Sequence, residues 1–306
     1  MAVNKSVPVI DMQDFSTLPQ KIVSACEDWG CFRLINHGVP FSLMSDMKDV
    51  VRSLHDLPME IKMRNYNHQE PSKGYTPPNM ASAFFESLSL YDDGGSAVAV
   101  ENFCTQLDVS PQQREIIVKY TSALQGLAQL LGSKLMEGLG LNGEEFKEGI
   151  CQFKMNKYNY GPETVGLQGA VMHSDAGFFT ILQDDDDVDG LEAVDKTTGE
   201  LISVDHVPAT LVFNVGDAGK VWSNGRFHNV KHQVQCYKAT VRITIALFVL
   251  PAEDETVQVL PGLADSDHPA LYVPFNFNHY RRLRISTNSP TGEALEFFRS
   301  HPELLN

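Results

Sequence analysis

From Phe153 onward the chain is cut into short apolar runs, each ended by Gly, Pro, Asn or Asp, and no other feature constrains the fold so strongly. The runs cover 153–160, 170–172, 178–183, 191–194, 201–204, 210–215, 220–222, 227–236 and 241–250. Short apolar segments bounded by turn residues and recurring about every ten residues predict strands, and strands in such number suit a sandwich, a barrel or a jelly roll.

The first 150 residues read differently. Val7-Pro8-Val9-Ile10-Asp11 is a short apolar run. Ile22, Val23, Cys26 and Trp29 then recur at helical spacing, and Gly30 ends that segment. Cys31 to Asn36 alternates like a strand, and Asn36-His37-Gly38-Val39-Pro40 is turn chemistry. Helical periodicity returns at about 41–66 and at 111–140, where Ile116, Tyr120, Leu124, Leu127, Leu131 and Leu135 define one face. A polar, glycine-bearing stretch separates them. The segment 291–305, after Pro290, predicts a short C-terminal helix. The expectation is an α+β protein in which a helical and short-strand region, 1–150, packs on an antiparallel double-sheet core, 151–306, with no linker between them. The single charge run, Asp184 to Asp187, predicts a solvated loop.

Composition excludes several functions. With 24 Lys+Arg against 39 Asp+Glu the net charge is −15, which opposes nucleic acid and anionic membranes and favours a small-molecule or protein partner. Five cysteines without a CxxC pair suggest neither a disulfide framework nor a cysteine zinc knuckle, and point to a reducing compartment. The N-terminus lacks the apolar core of a signal peptide and no stretch reaches the ~18 apolar residues of a membrane span, so a cytoplasmic location is expected.

Three His-x-acid triplets occur: His68-Gln69-Glu70, His173-Ser174-Asp175 and His301-Pro302-Glu303. Only the second follows an apolar run, Ala170-Val171-Met172, and precedes another, Phe178 to Leu182, so only there do strands hold the side chains. Two His and one carboxylate with positions left open suit non-haem Fe(II). The second histidine comes from Val221 to Val234, which offers His228 and His232, and spacing on a strand leaves both open. Arg242, ten residues beyond His232, favours the latter. Arg242 and Thr244, two apart on a strand, point into the same space, where a guanidinium fork and a hydroxyl can hold a carboxylate. A diacid bound there would chelate a metal on His173, Asp175 and His232 through its other end.

These residues, in this order, resemble the plant-type Fe(II)/2-oxoglutarate-dependent dioxygenases over nearly the whole chain. The N-terminal half shares the family's Pro8-Val9-Ile10-Asp11, Trp29-Gly30-Cys31-Phe32 and Asn36-His37-Gly38-Val39, and Gly74-Tyr75 fits its substrate-side loop. Asn156-Lys157-Tyr158, Gly190-Leu191-Glu192, Asn214-Val215-Gly216-Asp217, Ser223 to Arg226 and His232-Gln233-Val234 follow the family's core in order. The resemblance implies a double-stranded β-helix (jelly roll), Fe(II) as metal, 2-oxoglutarate and O₂ as cosubstrates, and ascorbate as accompanying reductant. It also implies that Asn156 and Tyr158 join Arg242 and Thr244 around 2-oxoglutarate. Departures are Thr244 for the usual serine, Gln233 for a common arginine, Asn159-Tyr160-Gly161-Pro162 for a proline pair, and His228 beside the distal ligand.

Trp29 to Arg33, Glu163 to Gly166 and His173 to Phe178 most resemble the branch for auxin oxidation, which implies conversion of indole-3-acetic acid to its 2-oxindole. Hydroxylation, demethylation or ring closure of alkaloids, flavonoids or glucosinolates is the alternative within the family. A silent binding protein and a zinc hydrolase are the alternatives outside it. Tyr75, Phe84, Phe85, Phe153, Met155, Phe275 and Phe277 are the candidates for the substrate mouth, and Lys154, Arg226 and Arg281 for a second cation.

Overall fold

The computed structural model describes residues 6–92, 96–143, 146, 149–185 and 187–300. Its major sheet is built from both halves of the chain. Strands β1 (Val9–Asp11), β2 (Cys31–Ile35) and β3 (Phe85–Asp92) come from the first 150 residues, and β4 (Ile150–Tyr158), β6 (Phe179–Gln183), β9 (Leu211–Val215) and β11 (Arg242–Leu250) from the rest, in the order β1-β2-β9-β6-β11-β4-β3. A minor sheet runs β5-β10-β7-β8, from Gln168–His173, His232–Gln235, Leu191–Val194 and Leu201–Ser203. A two-stranded ribbon, β12 (Thr256–Val257) with β13 (Phe275–Asn276), lies beyond them. The two larger sheets are the faces of a jelly roll.

Alternation along the strands decides what each face carries. On β4 and β11, Phe153, Met155, Ile243, Ile245, Leu247 and Val249 are buried in the main hydrophobic core. Helices α1 (Leu18–Asp28), α2 (Phe41–His55) and α5 (Pro111–Gly138) cover that outer face with Ile22, Met47, Val51, Tyr120, Leu124 and Leu131. Helix α5 begins where Ser110 caps it: Gln113 N donates to Ser110 Oγ at 3.3 Å and Ser110 N to Gln113 Oε1 at 3.1 Å. The alternate residues of β4 and β11, Lys154, Asn156 and Tyr158 opposite Ala246, Thr244 and Arg242, face the interior of the roll.

Several expectations are corrected. The run 220–222 belongs to α6 (Asp217–Trp222), a single turn and a half started by Gly216, and only His232–Gln235 of 227–236 is a strand. The expected helical segment 41–66 contains α2 and the short α3 (Met59–Lys62), and the polar stretch after it holds β3 and α4 (Ser96–Gln106). The C-terminal α-helix is α7 (Phe277–Ser286), where Asn276 Oδ1 accepts from His279 N at 3.0 Å. Only Phe277 and Tyr280 of α7 are buried, too thin a stripe to announce a helix. The segment read as helical contains a 3₁₀ turn, Glu293–Phe298, and its end, with the His301 triplet, lies outside the described residues. Asp184 and Asp185 are buried, at 4% and 2% exposure, instead of solvated. Asp184 pairs with Arg242, and Asp185 Oδ2 accepts from Ile243 N at 2.7 Å, so the first half of the acidic run follows β6 into the interior, whereas Asp187 is exposed as expected. All five cysteines are free and buried. No helix among the described residues is long and apolar enough to cross a membrane.

Glu86 anchors β3 against the N-terminal region. Its carboxylate accepts from Lys62 Nζ at 2.7 Å and from Tyr75 OH at 2.7 Å, with His55 Nδ1 3.7 Å away. Burial alone would raise its pKa, but the nearby His55 and the bonds from Lys62 and Tyr75 outweigh that and hold it well below the ordinary 4.5. Stability from a carboxylate so depressed is fully present above its unfolded pKa and is lost as pH falls below it. Glu86→Gln should therefore cost roughly 3 kcal/mol at neutral pH, because Lys62 is left buried without its charge partner. Urea denaturation should show the gap between variant and parent narrowing below about pH 4.5.

Candidate active site

The antiparallel register of β5 and β10 sets His173 directly opposite His232, with ring centroids 4.3 Å apart. Each ring is held the same way: His173 Nδ1 lies 2.7 Å from Val171 O and His232 Nδ1 3.3 Å from Val230 O. A carbonyl can only accept, so both Nδ1 atoms carry the proton and both Nε2 lone pairs are free. Asp175 follows two residues after His173, just beyond the strand, and its Oδ1 sits 3.7 Å from His173 Nε2 and 3.8 Å from His232 Nε2. The other carboxylate oxygen, Oδ2, accepts from Thr180 Oγ1 at 2.6 Å, which fixes the side chain from the major sheet. One ligand atom from each of the three residues lies within 4.8 Å of the others. Burial, and then the neighbouring His232, push His173 down to about 4, so its ring is neutral and able to ligate near pH 7. Two imidazoles that present their Nε2 atoms and a carboxylate on one side of an open space match the donor set of non-haem Fe(II).

His228, the other candidate histidine, is kept from this group by its backbone. Its N–H bonds to Cys26 O, and its carbonyl comes so close to Gly30 that a Cβ there would stand 1.9 Å away. Gly30 also has φ +70°, the left-handed conformation glycine supplies where α1 turns into β2.

Behind the triplet, Asp217 is fully buried and acts as a hub. Its Oδ1 accepts from Ser174 Oγ at 2.7 Å and Asn229 Nδ2 at 2.6 Å, while Tyr280 and Arg284 of α7 bond to Oδ2. Arg284 also donates to Ser174 O at 2.7 Å. The residue between the two first ligands is thus tied to α6 and α7.

The triplet opens on a cavity of about 200 Å³ between the two large sheets. Rows of paired residues cross its major-sheet wall. Phe85, Tyr158 and Arg242 form one row, Ser87, Asn156 and Thr244 the next, and Ser89, Lys154, Ala246 and Leu182 a third. Arg242 is 1% exposed, its Nε donates to Val188 O at 3.2 Å, a terminal nitrogen bonds Asp184, and its cation lies 5.3 Å from the Tyr158 ring centre. In the middle row Ser87 Oγ donates to Asn156 Oδ1 at 2.8 Å and Asn156 Nδ2 to Thr244 Oγ1 at 3.2 Å. A fixed guanidinium and a neighbouring hydroxyl at one end, with the metal-type cluster on the wall, can hold a dicarboxylate between them.

The structure brings together His173, Asp175, His232, Asn156, Tyr158, Arg242 and Thr244 around this cavity. Most of the aromatic residues proposed for the substrate mouth lie elsewhere. Phe153 and Met155 have the wrong strand parity and sit fully buried beneath the helices. Tyr75 is buried against Glu86, Phe84 packs on Tyr160 at 5.6 Å, Phe275 packs on Phe298 at 4.2 Å, and Phe277 is buried in the main core. Phe85 alone of the candidates lines the cavity, together with Phe248, which was not among them. Of the three cations considered, Lys154 lines it, Arg226 pairs with Glu27, and Arg281 donates to Ser72 Oγ at 2.7 Å. Thr180 and Asp184 were missed; alternation within 178–183 could have found Thr180, whereas the burial of Asp184 depends on Arg242 beside it.

Residues 150–251 match the model of the 2OG-Fe(II) oxygenase superfamily, and residues 7–87 that of the non-haem dioxygenase in morphine synthesis N-terminal family. The chain is 44% identical over 275 residues to the 2-oxoglutarate-dependent dioxygenase DAO of rice (Oryza sativa), covering 90% of this chain and 91% of that one. It superposes on the crystal structure of the rice dioxygenase for auxin oxidation with a TM-score of 0.87 and 40% identity, over 96% of this chain and all (100%) of the other. The Arabidopsis thaliana dioxygenase for auxin oxidation 1, in its binary complex with 2-oxoglutarate, gives 0.82 and 47% identity over 86% of this chain and 99% of that one.

Because Thr180 fixes the carboxylate of the cluster, Thr180→Val should keep the fold and weaken divalent-metal binding by about tenfold, as other lost outer partners do. Anaerobic calorimetric titration with Mn(II) measures this directly.

Proposed function

The chain belongs to the 2OG-Fe(II) oxygenase superfamily and is a 2-oxoglutarate-dependent dioxygenase that uses Fe(II), and on that premise we propose that it oxidises indole-3-acetic acid or a close aromatic acid at the cavity between its two sheets. The observation that carries this reading is one cavity with the His173, Asp175 and His232 cluster on its wall and the buried Arg242 at its far end. The similarity to the rice and Arabidopsis dioxygenases for auxin oxidation supports the choice of acid.

In this reading His173, Asp175 and His232 hold Fe(II), with the two imidazoles aimed by Val171 O and Val230 O and the carboxylate by Thr180. When bound, Fe(II) would supply the oxidising chemistry with 2-oxoglutarate and O₂, one oxygen atom of O₂ ending in succinate as 2-oxoglutarate loses CO₂ and the other in the oxidised substrate. Arg242 and Thr244 bind the carboxylate remote from the metal, and Asn156 and Tyr158 hold those two groups in place. Asp184 keeps the guanidinium from swinging, so its remaining donors point to one position. Leu182, Leu191, Val234 and Phe248 give the cavity an apolar lining that orients an aromatic ring and keeps bulk water from the reacting carbon. Threonine at position 244 presents the hydroxyl as serine would, since Asn156 Nδ2 already takes one of its acceptor positions.

Anaerobic addition of Fe(II) and 2-oxoglutarate should produce a weak visible charge-transfer band, and air with indole-3-acetate should then release succinate. Absence of the band would overturn the cosubstrate assignment, and a band without substrate-stimulated succinate would overturn the acid. His173→Ala and Asp175→Ala should abolish turnover. Arg242→Ala should raise the 2-oxoglutarate concentration at half-saturation by more than about tenfold, the usual scale for losing a charged hydrogen bond.

A further inference from the structure

Lys154 stands on the inward face of β4, in the row with Ser89, Ala246 and Leu182, two residues from the Asn156–Thr244 row and four from Arg242 and Tyr158. No neighbour in that row is acidic. The other cations taken into the protein have partners: Arg33 bonds Thr210, Lys62 bonds Glu86, Arg242 bonds Asp184 and Arg284 bonds Asp217. Among the described residues Lys154 has neither a hydrogen bond nor an ion pair. The one carboxylate on the cavity wall, Asp175, is committed to Thr180 and to the histidine cluster.

A half-buried cation on a cavity wall without a counter-ion is unfavourable unless something that binds there supplies the opposite charge. Burial, and the Arg281 charge nearby, lower the Lys154 pKa only to about 8, so the side chain still carries its proton near pH 7. The cosubstrate's remote carboxylate has its own cation in Arg242, two rows away along the sheet. In the row beyond Lys154, Phe248 opposite Thr180 adds an aromatic face on the side of Asp175. An ammonium and a ring beside the metal-type cluster match a ligand with one carboxylate and one aromatic ring.

We infer that Lys154 is a specificity-determining residue that binds the carboxylate of the aromatic acid being oxidised, separately from the cosubstrate held by Arg242. This rests on the reading of the chain as an oxygenase of an aromatic acid. The ammonium fixes one end of the substrate, the apolar lining holds the ring, and a neutral relative of the same shape is rejected because it leaves the ammonium unpaired.

Binding, measured apart from turnover, tests this. The Fe(II) and 2-oxoglutarate complex would be titrated anaerobically, first following the visible band and then by equilibrium dialysis with indole-3-acetate, phenylacetate and the neutral indole-3-acetamide. Lys154→Met should keep the half-saturation by 2-oxoglutarate within about twofold, bind indole-3-acetate at least about tenfold more weakly, and lose the preference for acid over amide. Lys154→Arg should retain that preference. The band reports that a variant is folded, and Lys154→Gln replaces the methionine variant if the band is missing. An unchanged acid-to-amide ratio would overturn the inference, as would a rise in the 2-oxoglutarate requirement with acid binding intact, which would assign Lys154 to the cosubstrate. If the parent protein binds phenylacetate but not indole-3-acetate, and Lys154→Met loses phenylacetate, the indole assignment fails while the role of Lys154 stands.

Discussion

The site depends on one pairing: residue 173 opposite residue 232 in the antiparallel ladder of β5 and β10. A slip of one residue would turn every side chain of the moved strand to the opposite face and send one imidazole out of the roll. The register is held from the other side as well, because β10 also pairs with β7, with His232 opposite Ala193 and Val234 opposite Leu191. Beyond His232 the ladder with β5 is irregular and resumes with Val234 opposite Ala170, so the distortion follows the ligand pair instead of disturbing it. Asp175 then reaches across to Thr180 of the major sheet. The three donor groups therefore come together only when the two sheets are packed.

Buried carboxylates organise the surroundings of that pairing. Asp217 gathers Ser174, Asn229, Tyr280 and Arg284, Asp184 gathers Arg242 and, at 4.0 Å, Arg33, and Glu86 gathers Lys62 and Tyr75. Asp217 and Glu86 are satisfied by cations, hydroxyls and an amide, whereas Asp184 Oδ2 accepts no hydrogen bond and has only Arg33 at 4.0 Å. The net charge of −15 is thus a poor guide to the interior of the roll, where Arg242 and Lys154 face the cavity and Asp175 is the acid on its wall. An anionic ligand therefore meets two cations on the cavity wall although the chain as a whole is acidic.

The legible parts of the molecule were those that a short repeat encodes. Alternation marks the strands, spacing near 3.6 marks α1, α2 and α5, and His-x-Asp, His and Arg-x-Thr mark the groups brought to the cavity. What was not legible depends on long-range partners. Strand β3 was hidden because Glu86, Ser87 and Ser89 are polar residues buried by bonds to Lys62, Asn156 and Gln152. The acidic run looked solvated because its counter-ion, Arg242, is 58 residues away. Phe85 lines the cavity, but proximity in sequence to a family segment ignores parity, and Phe153 and Met155 stand one residue out of phase with Lys154, Asn156 and Tyr158.

The order of strands in the major sheet bears on how the chain is made. Its two edges, β1 and β3, leave the ribosome early, yet the partners that bind β2 and β3, namely β9 and β4, are synthesised later, with Cys31 waiting for Asn214 and Phe85 for Tyr158. Loop closure over such separations is slow, and until it occurs β9 and β4 present open backbone edges. The first half of the chain thus acts as a built-in guard for the second, covering both margins of the catalytic sheet and removing the surfaces through which nascent copies would otherwise adhere.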